Sequence, residues 1–202
     1  MRVAVPKEIK AGEKRVALVP DVISKFTKLG YEVIIESGAG IHAQATDKDY
    51  ETAGAKVANE VLIDADIVLS VQPLAPQQAA SLRKGAVTIS FLSPTTSAEN
   101  IDALAKAGAT SFSMELVPRI SRAQSMDALT SQALCAGYRA ALVAAELAPR
   151  FFPLLMTAAG TVTPANVVVL GAGVAGLQAI ATARRLGAVV SAYDVRPASA
   201  DE

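Results

Sequence analysis

Residues 167–176 read VVVLGAGVAG, and this stretch decides the fold class. The β-branched run predicts a buried strand, and the three glycines that follow it open a helix extending through Leu186. A second strand is predicted over 188–193, and Asp194 lies at its tip. A strand, a glycine-rich turn, a helix and a further strand in this order predict a βαβ unit.

The three glycines of the turn each have a different predicted role. Gly171 permits the tight turn out of the strand, Gly173 lets the backbone approach a pyrophosphate, and Gly176 lets helix and strand pack closely. Val174 and Ala175 lie at the helix N-terminus, where unpaired N–H groups and the helix dipole favour a diphosphate. The alternative is that the glycines serve only a close helix–strand contact and bind no ligand.

Asp194 extends the motif, because it lies 23 residues after Gly171. This is near the spacing of the acidic residue that binds the adenosine ribose in dinucleotide-binding domains. Its carboxylate would accept hydrogen bonds from ribose hydroxyls and repel a 2′-phosphate, which favours NAD over NADP. Val195 and Arg196 complete the predicted cofactor site; Arg196 is open to two interpretations, a partner for a 2′-phosphate or a solvated surface charge.

The first 115 residues alternate short apolar runs with helical patterns, which is typical of a parallel sheet covered by helices. Strands are predicted at 2–5, 32–36, 67–71, 86–91 and 110–114. Helices are predicted over 21–29, from Ser97 to Gly108, and over 127–147.

These elements predict an α/β protein with two Rossmann-like parallel-sheet domains and a cleft between them. We predict an N-terminal α/β domain over 1–135, a linking helix over 136–150, and the first part of a Rossmann domain over 151–202. The second domain is expected to be incomplete, since a doubly wound domain needs further strands and their loss exposes a sheet edge. We therefore expect this chain alone to bind NAD weakly and to have little activity.

Composition narrows the functional class. The 202 residues carry 19 basic and 19 acidic side chains, so no basic surface for nucleic acid is expected. One cysteine, Cys135, and one histidine, His42, allow neither an internal disulfide nor a Cys/His metal cluster. We predict that Cys135 is a small core residue, that His42 is structural or on the surface, and that the protein is cytosolic.

Two apolar segments, one at the N-terminus and one over 151–183, are predicted to be neither a signal peptide nor a membrane span. The apolar run at the N-terminus is residues 3–5, and the charged Lys7 and Glu8 follow it closely. Three residues are too few for the hydrophobic region of a signal peptide. Residues 151–183 carry no charge, but Pro and Gly interrupt the segment, and a bilayer would leave the freed backbone groups without partners. No membrane span is therefore expected.

A polar loop, PRISRAQSMD over 118–127, has no clean hydrophobic period and combines two arginines, an amide and hydroxyls. This composition favours a binding loop. The alternative is that Arg119, Gln124 and Asp127 only cap and anchor the helix that begins near Asp127.

Several segments together resemble the superfamily of alanine dehydrogenases and nicotinamide nucleotide transhydrogenases. They are VPKE at 5–8, EKRVA at 13–17, ESGAG at 36–40 and AGA at 53–55. The polar loop 118–127 is similar to the signature loop of the NAD(H)-binding component of proton-translocating transhydrogenases. The resemblance implies hydride transfer between NAD(H) on this component and NADP(H) on a partner, coupled to proton movement through a membrane domain. It also implies a homodimer on the cytoplasmic side, peripheral to the inner membrane.

The resemblance assigns roles to individual residues of the loop and of the helix after it. Arg119 would orient the nicotinamide half of NAD, Asp127 would accept from its carboxamide or ribose, and Gln124 would reach toward the partner's NADP. Thr130 supplies a hydroxyl where relatives can carry serine. Hydride transfer of this kind needs no acid–base residue, since the requirement is the positioning of two rings.

Two departures separate the chain from the alanine dehydrogenases it resembles. Gln72 and Ser93 stand where those enzymes carry a catalytic lysine and histidine, and neither side chain titrates near neutral pH. Arg15 is similar to their substrate-binding arginine and is predicted here to be a surface or loop-anchoring residue. The alternatives that remain are an alanine-dehydrogenase-like oxidoreductase with a different substrate, and a nucleotide-binding fragment without activity.

Overall fold

A computed structural model describes residues 1–200 of the chain; the last two positions of the segment predicted over 151–202 lie outside the described residues. The chain divides into two compact units, which we call unit 1 (Met1–Met126) and unit 2 (from Asp127 onward). Each unit contains parallel β-structure covered by helices, which confirms the predicted α/β, Rossmann-like class.

Unit 1 is built on a six-stranded parallel sheet with the order β3-β2-β1-β4-β5-β6. Its strands are β1 (Arg2–Val5), β2 (Glu32–Glu36), β3 (Lys56–Ala58), β4 (Ile67–Leu69), β5 (Val87–Ser90) and β6 (Thr110–Ser113). The five predicted strands all form, each within two residues of the predicted bounds. The short strand β3 was not predicted. The strand order reverses direction between β1 and β4. The loops that follow these two strands therefore run to opposite sides of the sheet and leave a crevice between them.

Helices cover both faces of this sheet. They are α1 (Pro20–Lys28), α2 (Asp47–Ala53), α3 (Pro76–Ala80) and α4 (Ala98–Lys106). One core packs residues of α1 and α2 against Ile35 of β2, and the other packs residues of α3 and α4 against Val68 of β4. Successive residues of β1 enter different cores, as expected for a strand buried on both faces.

Unit 2 begins with the long helix α5 (Ala128–Leu147), close to the predicted bounds. An antiparallel hairpin that was not predicted follows, formed by β7 (Leu155–Thr157) and β8 (Gly160–Val162). The predicted βαβ unit is present as β9 (Asn166–Leu170), α6 (Val174–Arg185) and β10 (Val189–Tyr193). The two strands pair in parallel.

The core of unit 2 is small and rich in alanine. Ala141 of α5, Ala183 of α6 and Phe152 of the segment between α5 and the hairpin are buried together. On the other side of the two-stranded sheet, Val168 and Leu170 of β9 are exposed. The strand therefore has one covered and one uncovered face in the described residues.

One prediction about α5 is wrong. Cys135 is exposed, not a small core residue. The helix buries Gly137 and Ala141, and Cys135 lies about 200° around the helix from Gly137, so its side chain projects away from that contact. His42 is exposed, in agreement with the prediction. None of the helices within residues 1–200 has the length and apolar character that a bilayer crossing requires.

Candidate functional site

The glycine-rich turn of unit 2 joins β9 to α6, and two of its glycines are required by the chain itself. Gly171 has a φ of 100°, in the left-handed region that favours glycine. A Cβ on Gly176 would lie 1.7 Å from the carbonyl oxygen of Gly171, a distance that no side chain can occupy. These two positions fix the sharp turn and the close approach of α6 to the end of β9.

Gly173 differs from the other two glycines of the motif. Its φ of −78° is accessible to any residue, and a Cβ placed there would meet no atom within 4 Å. Folding of the turn therefore gives no reason for a glycine at this position. A glycine is instead what a site needs if a ligand is to approach the backbone closely.

The first turn of α6 offers hydrogen-bond donors at the same place. Gly173 is the N-cap of the helix, and no side chain caps it. The N–H groups of Val174 and Ala175 belong to the first turn, which has no intrahelical acceptors for them. Together with the positive end of the helix dipole, this arrangement suits an anion such as a diphosphate.

Helix α5 supports this turn from one side. A Cβ on Gly137 would lie 2.0 Å from the carbonyl oxygen of Ala175, so α5 and the start of α6 are in backbone contact. Asp127, at the N-terminus of α5, lies ten residues before Gly137, which is about 15 Å along the helix. One straight helix thus sets the spacing between Asp127 and the glycine-rich turn.

Asp194 connects the end of β10 to the glycine-rich turn. Its Oδ2 accepts from the backbone N–H of Ala172 at 2.7 Å, and its Oδ1 accepts from the backbone N–H of Arg196 at 2.8 Å. The Arg196 guanidinium pairs with the same carboxylate at 3.1 Å. Hydrogen bonds from Arg196 and Ala172 hold the pKa of Asp194 well below its ordinary value, so the carboxylate is ionised. Val195, between the two, is exposed.

The polar loop 118–127 spans the boundary between the two units. Arg119 lies outside regular structure and is exposed, and Gln124 is exposed on a 3-10 helix over Ser121–Met126. Ala123 of that short helix is buried. Within residues 1–200, the side chains of Arg119 and Gln124 have no hydrogen-bonding or ionic partner.

Asp127 and Thr130 lie in unit 2 and contact each other. The Asp127 carboxylate accepts from the backbone N–H of Thr130 at 2.9 Å and from its hydroxyl at 2.7 Å. Asp127 is thus the N-cap of α5, as the alternative interpretation of the loop predicts for this residue. That interpretation does not explain Arg119 and Gln124, whose side chains form no such contacts in the described part of the chain.

A second candidate site is a cavity of about 390 Å³ in unit 1, at the carboxyl ends of β1, β4 and β5. Its position beside the reversal of strand order is where open α/β sheets bind ligands. Its polar lining residues include Lys7, Lys10, Gln72, Ser93 and Asn100. The two positions that depart from alanine dehydrogenases, Gln72 and Ser93, therefore both lie at this cavity.

Two glutamates that sequence reasoning missed hold the loops of this cavity. Glu8 accepts from the backbone N–H groups of Val71 at 2.6 Å and Gln72 at 3.2 Å. Glu115 accepts from the backbone N–H groups of Leu92 and Ser93. Each carboxylate thus braces the loop that follows a neighbouring strand. An acidic residue just beyond a predicted strand was the only signal in the sequence.

Burial affects the pKa values of these two glutamates differently. Desolvation raises the pKa of Glu8 above its ordinary value, against the opposing effect of its two backbone hydrogen bonds. Desolvation also raises the pKa of Glu115, but hydrogen bonds from the Ser113 hydroxyl and from backbone N–H groups outweigh it, and the net shift is downward.

Gln72 is the centre of a side-chain network on one wall of the cavity. Its amide nitrogen donates to Glu13 at 2.7 Å, and its amide oxygen accepts from Lys10 at 3.2 Å. Glu13 also pairs with Arg15 at 2.6 Å, and this contact is the main reason that the pKa of Glu13 is lowered to about 2. Arg15 thus pairs with a carboxylate of its own loop, and its loop-anchoring role stays a prediction.

Comparison with known families matches both halves of the chain. Residues 4–136 match the family model "Alanine dehydrogenase/PNT, N-terminal domain", and residues 140–202 match "Alanine dehydrogenase/PNT, C-terminal domain". Among curated relatives, an NAD(P) transhydrogenase subunit alpha polypeptide of Rhodospirillum rubrum is 50% identical over all of this chain. The alanine dehydrogenase of Mycobacterium tuberculosis is 37% identical over 96% of it.

Solved structures give the same result. A transhydrogenase from Sinorhizobium meliloti superimposes with a TM-score of 0.95 at 50% identity, over all of this chain and 61% of that one. An L-alanine dehydrogenase superimposes with a TM-score of 0.88 at 28% identity, over all of this chain and 56% of that one. The chain spans about half the length of the curated relatives it matches, with 55% of the Rhodospirillum rubrum protein covered.

Proposed function

The chain belongs to the alanine dehydrogenase/PNT family, and from this premise we propose that it acts as the NAD(H)-binding component of a proton-translocating transhydrogenase, in the alpha subunit. In this role it exchanges a hydride with NADP(H) held on a partner component. The higher identity to the transhydrogenase subunit than to alanine dehydrogenase supports this assignment within the family.

The observation that carries the proposal is the position of Gly173. A Cβ there would meet no atom within 4 Å among the described residues, and the position is the N-cap of α6, which lacks a side-chain cap for its first N–H donors. A diphosphate fits both features, because it needs close access to the backbone and is attracted by those donors. NAD, when bound, supplies the carbon that accepts or donates the hydride.

We assign the remaining contacts as follows. Gly171, Gly173, Val174, Ala175 and Gly176 bind the diphosphate of NAD. Asp194 binds the adenosine ribose, beside Val195 and Arg196. The ionised state of Asp194 supports NAD over NADP here, since a carboxylate repels a 2′-phosphate.

The polar loop serves the nicotinamide half in this proposal. Arg119 orients it through the fixed fork of guanidinium donors, and Gln124 reaches toward the NADP of the partner. Their exposed side chains have no hydrogen-bonding or ionic partner within residues 1–200, which leaves both available for these contacts. Asp127 combines capping of α5 with acceptance from the carboxamide or ribose, and Thr130 holds its carboxylate.

The partners in this proposal are the NADP-binding and membrane components of the transhydrogenase and a second copy of the chain. The location follows from them: the cytoplasmic face of the inner membrane, with peripheral attachment.

Contacts in unit 1 argue against alanine oxidation. The Gln72 amide donates a hydrogen bond to Glu13 and accepts one from Lys10. An amide does not transfer protons near neutral pH. Arg15, the counterpart of a substrate-binding arginine, is paired with Glu13. We therefore expect no reduction of NAD by L-alanine or other small amino acids.

The test is a hydride-exchange assay with a separately purified NADP-binding component of a transhydrogenase. NADH is the donor and thio-NADP the acceptor, and the rate is followed by absorbance. Arg119→Ala is expected to lower the rate about 100-fold, the size of effect that misplacing a reacting group produces. Arg122→Ala is the matched control, since it removes an arginine from the same loop.

Three outcomes distinguish the alternatives. Exchange that requires Arg119 but not Arg122 supports the proposal. NAD binding without exchange, beside a partner shown to be competent, identifies a nucleotide-binding module instead. Reduction of NAD by an amino acid identifies an alanine-dehydrogenase-like enzyme.

A further inference from the structure

The carboxylate of Asp194 has all of its acceptor positions filled. A carboxylate offers about four lone-pair sites, two on each oxygen. Oδ1 accepts from the backbone N–H of Arg196 and from its Nε, and Oδ2 accepts from the backbone N–H of Ala172 and from an Arg196 terminal nitrogen. Each oxygen therefore receives one backbone donor and one guanidinium donor.

The two kinds of donor are not equivalent. The backbone bonds, at 2.7 and 2.8 Å, are the shorter ones and are fixed by the turn and by the chain after β10. The guanidinium contacts are longer, at 3.1 and 3.3 Å, and the Arg196 side chain is 56% exposed. The Asp194 side chain is only 10% exposed, so the exposed part of this ion pair is the guanidinium, which can move into water while the backbone bonds hold the carboxylate.

Displacement of the guanidinium would free one acceptor site on each oxygen of the carboxylate. The 2′- and 3′-hydroxyls of a ribose are two adjacent O–H donors, which match two free sites on one carboxylate. The forked pair of N–H donors of Arg196 thus occupies the positions that a ribose diol would need.

We propose that Arg196 is a specificity-determining residue that competes with the adenosine ribose for Asp194 and must leave the carboxylate when a diol-bearing nucleotide binds. This inference rests on the proposed nucleotide site. It adds that the Arg196 side chain occupies the ribose-binding carboxylate of Asp194 before the nucleotide binds. The competition acts only on ligands that carry the diol.

The test compares two ligands of equal charge, ADP and 2′,3′-dideoxy-ADP. The ratio of the dissociation constant of 2′,3′-dideoxy-ADP to that of ADP measures the contribution of the diol alone. Removing an arginine weakens the electrostatic attraction of both ligands, so that effect cancels in the ratio. In Arg196→Met the ratio is expected to rise about threefold, the size of one exposed ion pair. Titrations are followed by the NMR signal of the Ala172 backbone N–H in the full chain.

Two further variants complete the design. Arg184→Met removes an exposed arginine in the last turn of α6 and should leave the ratio unchanged. Arg196→Lys keeps the charge but loses the two-pronged fork, and should give a ratio between those of the wild type and Arg196→Met. Circular dichroism checks that all variants are folded.

An unchanged or lower ratio in Arg196→Met, with both ligands bound, overturns the competition and leaves the proposed function standing. Failure of both ligands to bind to either protein overturns the nucleotide site and the competition together. A threefold rise that Arg184→Met also shows is an effect of charge, and it too overturns the competition.

Discussion

The loops at the carboxyl edges of the two parallel sheets differ in the backbone donors that they leave for a ligand, although a carboxylate accepts loop N–H groups in both units. In unit 1, Glu8 and Glu115 reach across to the loops after β4 and β5 and accept their backbone N–H groups. In unit 2, Asp194 accepts one N–H of the turn after β9, and Gly173, the N-cap of the helix that follows, provides no capping side chain.

The difference determines which ligands each edge suits. A carboxylate that accepts loop N–H groups removes donors from the edge and adds negative charge, and both effects disfavour a phosphate. In the glycine turn Asp194 accepts the N–H of Ala172, whereas the first-turn N–H groups of Val174 and Ala175 receive no cap from the side chain of the N-cap residue, so these donors and the positive end of the helix dipole remain there. A carboxylate therefore braces this edge in both units, and in unit 2 the helix N-terminus beside the brace also offers donors to an anion.

A carboxylate added at Gly173 should block the backbone donors at the start of α6 that Asp194 does not occupy. We expect Gly173→Asp to lower NAD affinity at least about 100-fold, because the side chain occupies the approach to the backbone and repels the diphosphate. The fold should persist, since Asp is a favourable N-cap and the position has space for a side chain. NMR titration with NAD and thermal unfolding measure the two effects.

Gly173→Ala is the control for charge. It adds a Cβ that meets no atom within 4 Å in the described part of the chain, so it should reduce NAD affinity less than Gly173→Asp and leave the melting temperature unchanged. If NAD binds equally well to the wild type and to Gly173→Asp, the turn is not the diphosphate site.

Gly176 tests the structural role of the same motif. We expect Gly176→Ala to lower the free energy of unfolding by about 2.5 kcal/mol, because its Cβ would overlap the carbonyl of Gly171 and force α6 away from β9. Urea unfolding measures the change. Gly173→Ala is again the control, and equal stability of the two variants would show that α6 adjusts without cost.

The sequence predicted the βαβ unit and α5 because each is set by local pattern. Three glycines between an apolar strand and a helix specify the turn, and the long α5 follows from a continuous run of helix-forming residues that begins at a capping residue, Asp127. The predicted bounds of α5 agree with the structure to within one residue.

Short elements and long-range contacts were missed for physical reasons. Helix α2 has seven residues and buries only Tyr50, so it has little periodic signal, although a capping box of Thr46 and Asp49 marks its start. The hydrogen bonds that Glu8 accepts join residues more than sixty positions apart. Such contacts depend on strand order, which the sequence pattern does not specify.

The brace in unit 1 should contribute to stability but not to nucleotide binding. We expect Glu8→Ala to lower the free energy of unfolding by about 2 kcal/mol, because two loop N–H groups lose their acceptor and Val71 is buried. NAD affinity should not change. Chemical unfolding and an NAD titration measure both, with the exposed Glu60→Ala as the matched control.

The smallest expected effect concerns how stability depends on pH through the loop between β1 and α1, which carries both Glu8 and Glu13. The pKa of Glu13 is lowered from 4.5 to about 2, mainly by the hydrogen bond from Arg15. Its stabilising contribution is therefore complete above pH 4.5 and is lost as the pH falls toward 2. Because Arg15 is partly exposed, we expect this contribution to be about 1 kcal/mol.

Glu8 has the opposite sign, because burial raises its pKa and protonation therefore favours the folded state as the pH falls through that value. Glu13→Gln should thus remove part of the loss of stability between about pH 6 and about pH 3, whereas Glu8→Gln should make that loss larger. Urea unfolding at the two pH values compares the variants with the wild type. Equal acid dependence in all three proteins would mean that neither glutamate has a different pKa in the folded and unfolded states, and would contradict both expected effects.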